Sequence, residues 1–221
     1  MNLDNQLVFI DLETTGLDTV KHAPITIGAL VLGGPNHDLT FHRKMRPWHG
    51  AIVDPRAMAV NGYDELEIWS WSSPSQACLD FISWIERICP APNLLIAAGW
   101  NYSFDERFLR SWIFQHYPEA RAFYGNTFSE NYVEGMTVVK ATYPDWSSRF
   151  PKQGGMKLTY QYEYHFGYHY KDAHTEMADC YATRRIVLAC DAKRERPIWP
   201  EHHPLIHLPE PGADPITPDL L

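Results

Sequence analysis

The stretch VFIDLETTG, Val8 to Gly16, decides how the rest of the chain is read. Val8, Phe9 and Ile10 form the apolar run of a buried strand, and Asp11 and Glu13 follow one residue apart. Residues two apart on a strand share a side, so an apolar strand delivers two carboxylates to one small volume. Like charges that close repel and raise each other's pKa. Taken alone, Asp-x-Glu also fits a helix cap or a solvated turn at an ordinary strand end. What the rest of the chain brings to the same place decides between these readings.

Working outward, residues 7–13 read as the first strand and Ala23 to Gly34 as a second, ended by a Gly-Gly-Pro-Asn turn. Asp38 to Pro47 is its hairpin partner, so the first three strands form an antiparallel meander. A loop with VNGYDE follows. Ser73 caps a helix with Pro74 at its first position, and Cys78, Phe81, Ile82, Ile85 and Ile88 recur at helical spacing until Pro90. Asn93 to Trp100 is short and almost unbroken in apolar character, as a central strand covered on both faces requires. SFDERFLRSWIFQHY is helical, with Phe104, Phe108, Trp112 and either Phe114 or Gln115 along one side.

From 119 to 155 the signal weakens. VEGMTVVKATYP fits a short strand or a helix segment, and PDWSSRFPKQGG reads as a loop. In LTYQYEYHFGYHY the rings at 160, 162, 164, 166, 168 and 170 alternate strictly, which by periodicity indicates a strand. A last helix starts near His174 and runs through ADCYATRRIVLACDAKRE. Seven of the 17 prolines then fall in residues 197–221, a composition that excludes a helix or central strand. The elements predict one mixed-sheet α/β domain over residues 1–195 and an extended Pro-rich tail over 196–221.

Bulk composition narrows the function. A formal net charge of -8 argues against a simple duplex-DNA binder and makes any nucleic-acid role local, metal-assisted or partner-aided. The four widely spaced cysteines, Cys78, Cys89, Cys180 and Cys190, form no C-x-x-C pair and read as thiols of a reducing compartment. No signal peptide or membrane-spanning run is visible, so the expectation is a soluble, intracellular (cytoplasmic) protein with no membrane partner.

Three further residues bear on Asp11 and Glu13. Asp105 stands in the first turn of the helix after the central strand, and Asp179 lies on the last helix with His174 five residues before it. Each has a plain alternative: Asp105 complements a helix N-terminus, Asp179 pairs with Arg184 or Lys193, and His174 is an ordinary surface histidine. Jointly they say more, because a strand end and a helix N-terminus after a parallel strand share one sheet edge. Four carboxylates converging there need neutralising, and hard oxygen donors select Mg²⁺ or Mn²⁺ over zinc. Two such ions can clamp the attacking and leaving oxygens of a phosphodiester displacement, and a histidine titrating near neutrality can take the proton of the attacking water.

FIDLETTGLD, NYSFDERFL and AHTEMAD, in that order over about residues 7–190, resemble the three motifs of the DEDDh group, the DnaQ-like proofreading-subunit and RNase T-like 3′→5′ exonucleases. VNGYDE is similar to the segment between that family's third strand and first helix. The sister group carries a tyrosine four residues before the last aspartate, where this chain has Thr175. The resemblance implies a ribonuclease H-like fold, a mixed five-stranded sheet of three antiparallel strands and then parallel ones, flanked by helices. It implies that Asp11, Glu13, Asp105 and Asp179 are metal ligands for two Mg²⁺ or Mn²⁺ ions and His174 the general base. It implies that Thr14, Thr15, Gly16 and Leu17 face the terminal nucleotide, with Leu17 wedged against its base, and that Asn101 and Phe104 support the site. It also places a helix over residues 156–166, with Leu158, Tyr162 and Phe166 as its buried stripe, against the aromatic alternation.

The chain departs from the family pattern at two points. Where a small residue usually stands two positions after the histidine, this chain has Glu176, which reads as a solvated carboxylate, the alternative being that it perturbs how far His174 swings in. Where an acid usually precedes a threonine near VEGMTVVK, Glu134 and Gly135 match poorly. The implied activity is removal of nucleoside 5′-monophosphates from 3′ ends of single-stranded or frayed DNA, in replication or repair. The alternatives are a 3′→5′ exoribonuclease trimming RNA ends and a non-catalytic accessory module of a replication complex. Tyr63, Trp69, Trp71, Tyr102 and the tyrosines of 160–170 are candidates for stacking on bases. The basic clusters are short: HRK with Arg46, Arg184 with Arg185, and KRER. They predict weak, salt-sensitive binding, which a polymerase, sliding clamp or single-strand-binding protein docked on the tail would offset by effective concentration.

Overall fold

The computed structural model describes residues 7–33, 38–89 and 95–193. β1 (Leu7–Thr14) pairs antiparallel with β2 (Pro24–Leu32), which pairs antiparallel with β3 (Thr40–Lys44). On the other side of β1, β4 (Ile96–Gly99) runs parallel to it, and the short β5 (Val133–Glu134) runs parallel to β4. The order β3-β2-β1-β4-β5 is the mixed five-stranded sheet expected. β2 is buried along its whole length, which explains its continuous apolar character.

Helices cover both faces. α3 (Pro74–Ile88) and α4 (Tyr102–His116) bury Phe81, Ile85, Phe108 and Trp112 against Val8, Ile10, Leu12, Ile27, Ala29 and Val31. On the opposite face α9 (Glu176–Asp191) brings Cys180, Val187 and Leu188 against Leu7, Phe9, Leu30 and Leu32. Outside α9 a third cluster joins α6 (Gly135–Thr142) and α8 (Leu158–Phe166) through Val139, Leu158, Tyr162, Ala182 and Ile186. All four cysteines are buried. Among the described residues no helix is long and apolar enough to cross a membrane.

Several local expectations change. The supposed loop around VNGYDE holds two short helices, α1 (Pro55–Asn61) and α2 (Glu65–Trp69). Its turn-forming residues are their caps: Asp54 and Asp64 accept backbone N–H groups at the starts, and Gly62, at φ 73°, ends α1. Residues 133–142 form both a strand and a helix. α5 (Ala120–Thr127) and α7 (Trp146–Arg149) occupy the weakly patterned span. On α4, Phe114 and Gln115 are exposed, and Leu109 and Ile113 complete the buried side.

The first four rings of the aromatic alternation, 160 to 166, lie on helix α8 and not on a strand, and Tyr168 and Tyr170 follow its end. Leu158 and Tyr162 are buried and Phe166 is partly buried, as the expected stripe requires. The remaining rings find partners on other sides of the helix, Tyr160 against Phe150 and Tyr164 against Tyr143, at 6.3 and 5.8 Å. A helix flanked by aromatic neighbours shows no simple amphipathic period. The Gly-Gly-Pro-Asn turn beyond Gly33, Pro90, Asn93 and the 196–221 tail lie outside the described residues.

Candidate active site

β1 delivers Asp11 and Glu13 to the α9 face. The alternation that buries Leu7 and Phe9 under α9 sets Asp11 and Glu13 on the same side, two and four residues on from Phe9. α9 supplies Asp179 one turn from its start. One carboxylate oxygen from each of Asp11, Glu13 and Asp179 lies within 4.8 Å of the other two. Asp105, in the first turn of α4, is 3% exposed, and its Oδ1 accepts the Leu12 backbone N–H at 3.1 Å. That bond fixes the fourth acid behind β1, between the two strand carboxylates in sequence. The four predicted acids therefore converge, three tightly and Asp105 beside them.

Burial and mutual repulsion raise these groups. Asp11 is held well above the usual carboxylate range by burial and then by Asp105, Asp179 and Glu13. Burial with Asp179 and Glu176 pushes Glu13 up to about 9. Asp105 is likewise raised, by burial, against the lowering effect of the Leu12 N–H. Asp179 is raised by burial, while Tyr170 Oη, which donates to its Oδ1 at 2.8 Å, opposes the shift. The charges acting most strongly on Asp11 are all carboxylates. An all-oxygen donor set with excess negative charge fits divalent cations such as Mg²⁺ or Mn²⁺.

His174 precedes α9 with its side chain exposed, and its backbone N–H donates to Asp179 Oδ1 at 3.3 Å. It adopts φ 69°, and Asp172 φ 55°, left-handed values that cost a non-glycine residue about 1–3 kcal/mol each. His174 and Asp179 line a cleft of about 630 Å³ with Asn101, Lys152, Lys157 and Tyr170. Asn101 is also left-handed, at φ 59°, and donates its N–H to Glu134 Oε1 at 2.8 Å. The same oxygen accepts from Met136 N. Glu134, a poor motif match in sequence, thus pins the turn into α4 to the start of α6. Phe104 packs on Phe108 at 5.0 Å beneath this turn.

The segment after β1 is used mainly for its own folding. The register shifts between Glu13 and Thr14, and the ladder closes on the Thr14–Pro24 pair. Thr14 Oγ1 donates to Gly16 O and Thr15 Oγ1 to Ile52 O, each at 2.7 Å, and both residues are buried. A Cβ on Gly16 would stand 2.4 Å from the His22 ring. Leu17, by contrast, is 80% exposed.

Three expectations need correction. Glu176 is not solvated: it is 3% exposed and bonded to His42 and Thr26. Tyr102 and Tyr162 are core residues and closed to bases, and Tyr63 packs edge-on against Trp71 at 4.9 Å. Among the described residues the HRK and Arg184–Arg185 clusters are engaged within the fold, while residues 194–196 of KRER lie outside the described residues. Arg43 pairs with Asp80, Arg184 with Asp38, Lys44 lies over the Tyr63 and Trp71 rings, and Arg185 is buried among Tyr162, Phe166 and Tyr168. Sequence reasoning missed Tyr170 and Glu134; hydrogen-bond partners this far apart leave no periodic signal.

The exonuclease family model RNase T matches residues 8–187. The chain belongs to this exonuclease family. No curated protein matches it in sequence. Among solved structures, this exonuclease-family chain is similar to a zinc-bound complex of E. coli exonuclease I with single-stranded DNA, at TM-score 0.69 and 17% identity. That match covers 87% of this chain and 42% of the other. The E. coli exonuclease I complex with a dT13 oligonucleotide gives 0.67 and 19%, over 87% and 42%. A complex of SSB and exonuclease I with an inhibitor gives 0.67 and 18%, also over 87% and 42%. The chain therefore spans about two fifths of the length of these structures and shares their exonuclease-domain fold, the ribonuclease H-like sheet.

Proposed function

We propose that the chain is a divalent-metal-dependent 3′→5′ exonuclease that shortens single-stranded or frayed DNA and releases nucleoside 5′-monophosphates. The observation that carries this reading is the convergence of Asp11, Glu13 and Asp179, with Asp105 beside them, Asp179 also lining a cleft with the exposed His174. Divalent cations bound by these four residues would neutralise them and stabilise the charge that develops on the phosphodiester oxygens. His174 would take the proton of the attacking water, and Asp179, bonded to Tyr170, would orient the His174 backbone. Lys152 and Lys157, which also line the cleft, would meet phosphates. Exposed Leu17 would contact the terminal base. The oligonucleotide complexes among the similar structures support DNA as substrate.

Residues 196–221 we read as a tether to a polymerase, clamp or single-strand-binding protein. The likeness to an exonuclease I–SSB complex supports the last of these. Deleting 197–221 should lower activity in the presence of such a partner and not in its absence; equal activity in both settings would remove the tether.

The deciding assay uses 5′-labelled single-stranded DNA, duplex DNA and RNA with Mg²⁺ or Mn²⁺, wild type against Asp11→Ala. Stepwise 3′ shortening of single-stranded DNA, abolished in the variant, is expected. Internal cuts or equal activity in Asp11→Ala would overturn the proposal, and faster loss of the RNA would transfer it to RNA ends.

A further inference from the structure

Glu176, the first residue of α9, joins that helix to the sheet next to the carboxylate cluster. Thr26 Oγ1 donates to its Oε2 at 2.9 Å, and His42 Nε2 donates to its Oε1 at 2.5 Å. In the sheet register Thr26 stands opposite Glu13, and His42 opposite Gly28, which stands opposite Asp11. The two anchors of Glu176 therefore lie in the two cross-strand rows that carry the strand carboxylates. Gly28 leaves the room, since a Cβ there would come within 2.9 Å of Glu176 C and Cγ. Burial alone would raise Glu176, but the bonds and charge from His42 outweigh it, and the group is lowered while its acidic neighbours are raised.

The segment that Glu176 anchors is strained. Asp172 and His174 are both left-handed, and Thr175, at the N-cap of α9, makes no side-chain capping bond. Such conformations persist where surrounding structure over-determines them. Thr175 bonds back to Asp172 O through its N–H and its hydroxyl, which closes the turn on itself. Tyr170 ties the turn to Asp179. Glu176 then ties both to β2 and β3. Because both of its carboxylate oxygens are taken by protein donors, its role differs from that of the Asp11, Glu13 and Asp179 oxygens.

We propose that Glu176 is a positioning residue: through Thr26 and His42 it locks the His174 turn against the sheet rows of Asp11 and Glu13, holding the base at a fixed place relative to the acids. This rests on the reading of His174 as the general base.

The test compares wild type, Glu176→Ala, Glu176→Gln, His42→Ala and the Glu176→Ala/His42→Ala double variant in the full chain. Amide hydrogen exchange of residues 172–179, without nucleic acid or cation, is one readout. The other is kcat and KM on 5′-labelled single-stranded DNA with Mg²⁺. Glu176→Ala should speed exchange across 172–179 about tenfold while the β1 and β2 amides keep their protection. It should lower kcat by about tenfold or more, the scale of an outer-shell partner, with KM held within about threefold. Glu176→Gln keeps an acceptor for Thr26 and can donate to a neutral His42, so both readouts should stay within about threefold of wild type.

His42→Ala leaves one oxygen of the buried Glu176 carboxylate without its hydrogen-bond donor, beside Glu13, and should cost at least as much as Glu176→Ala. The double variant should be no worse than His42→Ala alone. A lower melting temperature with exchange and kcat unchanged in Glu176→Ala would overturn the proposal and leave a simple structural staple. So would Glu176→Gln failing as badly as Glu176→Ala, because charge rather than the bridge would then be acting. If wild type degrades no nucleic acid, the exonuclease reading falls by itself, and the exchange comparison still decides whether Glu176 locks the 172–175 turn.

Discussion

One strand, β1, separates two surfaces with opposite chemistry. Toward α3 and α4 it points Val8, Ile10 and Leu12, and that face stays apolar from end to end, with Ile27, Ala29 and Val31 beside them. Toward α9 it points Leu7 and Phe9, and then Asp11 and Glu13. β2 and β3 follow the same change, from Leu30 to Gly28 and Thr26, and from Thr40 to His42 and Lys44. The apolar face and the first half of the α9 face provide the stability. The second half of the α9 face collects groups that repel one another. The fold tolerates that concentration because the rest of β1 is so thoroughly buried, and the comparison predicts that damage on the two faces will be of different kinds.

Glu13→Gln is the largest expected break. Glu13 is pushed up to about 9, so without a cation the folded chain already favours its neutral form near neutrality, and a neutral isostere should leave metal-free stability unchanged or higher. Activity should nevertheless fall more than about 100-fold, the upper end of what loss of an outer-shell partner costs. Melting curves in chelator beside 3′-end degradation rates check both halves. A variant that is active, or that melts well below wild type, would erase the contrast.

Ile27→Ala is the reciprocal change. Ile27 is fully buried in the apolar cluster of that face. Truncation should cost about 2–5 kcal/mol, a drop in Tm on the order of 10 °C for a chain of this size. Below the transition, kcat should stay within about threefold of wild type, on the scale of a site left intact. Denaturant unfolding together with kcat at a permissive temperature separates lost fold from lost chemistry.

A third prediction concerns the polar half alone. Carboxylates raised in the folded state bind protons more tightly there than in the unfolded chain. For Glu13 the window runs from 4.5 to about 9. Within it the folded chain carries the extra protons, so stability falls as pH rises. In chelator, Tm should therefore drop at least about 5 °C between about pH 5 and about pH 8. Saturating Mg²⁺ should flatten the slope, because a bound cation replaces those protons. A slope unaffected by Mg²⁺ would mean that the cluster does not take up the cation.

The same two faces show what could be read from the sequence. β1 opens on an unbroken apolar run and then carries Asp11 and Glu13 two apart, so the strand and the shared side of its two carboxylates were legible from the residues, while the five-stranded mixed sheet was legible only through the motif resemblance and the strand order not at all. Asp105 and Asp179 were legible because each sits in the first turn of a helix. What was hidden depended on partners distant in sequence. Glu176 looks like a solvated acid until His42 and Thr26, more than 130 residues away, are seen on neighbouring strands. Tyr170 belongs to an alternating run whose period is not that of the helix before it, and nothing local marks its bond to Asp179. The short helices α1 and α2 were concealed because their caps, Asp54, Gly62 and Asp64, are also the residues of turns.

The smallest effect is expected at Leu17, and it sharpens the comparison most. Its side chain is apolar like that of Ile27, but it is 80% exposed just beyond the polar end of β1. A leucine already in water has little folding energy to lose, so Leu17→Ala should change stability by less than about 0.5 kcal/mol. If a terminal base covers it, partial burial is worth about 1 kcal/mol, and truncation should raise KM for single-stranded DNA about fivefold. Melting temperature and KM together test this, and an unchanged KM would move the terminal nucleotide away from the turn. The expected outcome reverses that of Ile27→Ala: an apolar side chain stabilises the fold where the chain buries it, and binds substrate where the chain leaves it for a ligand to bury.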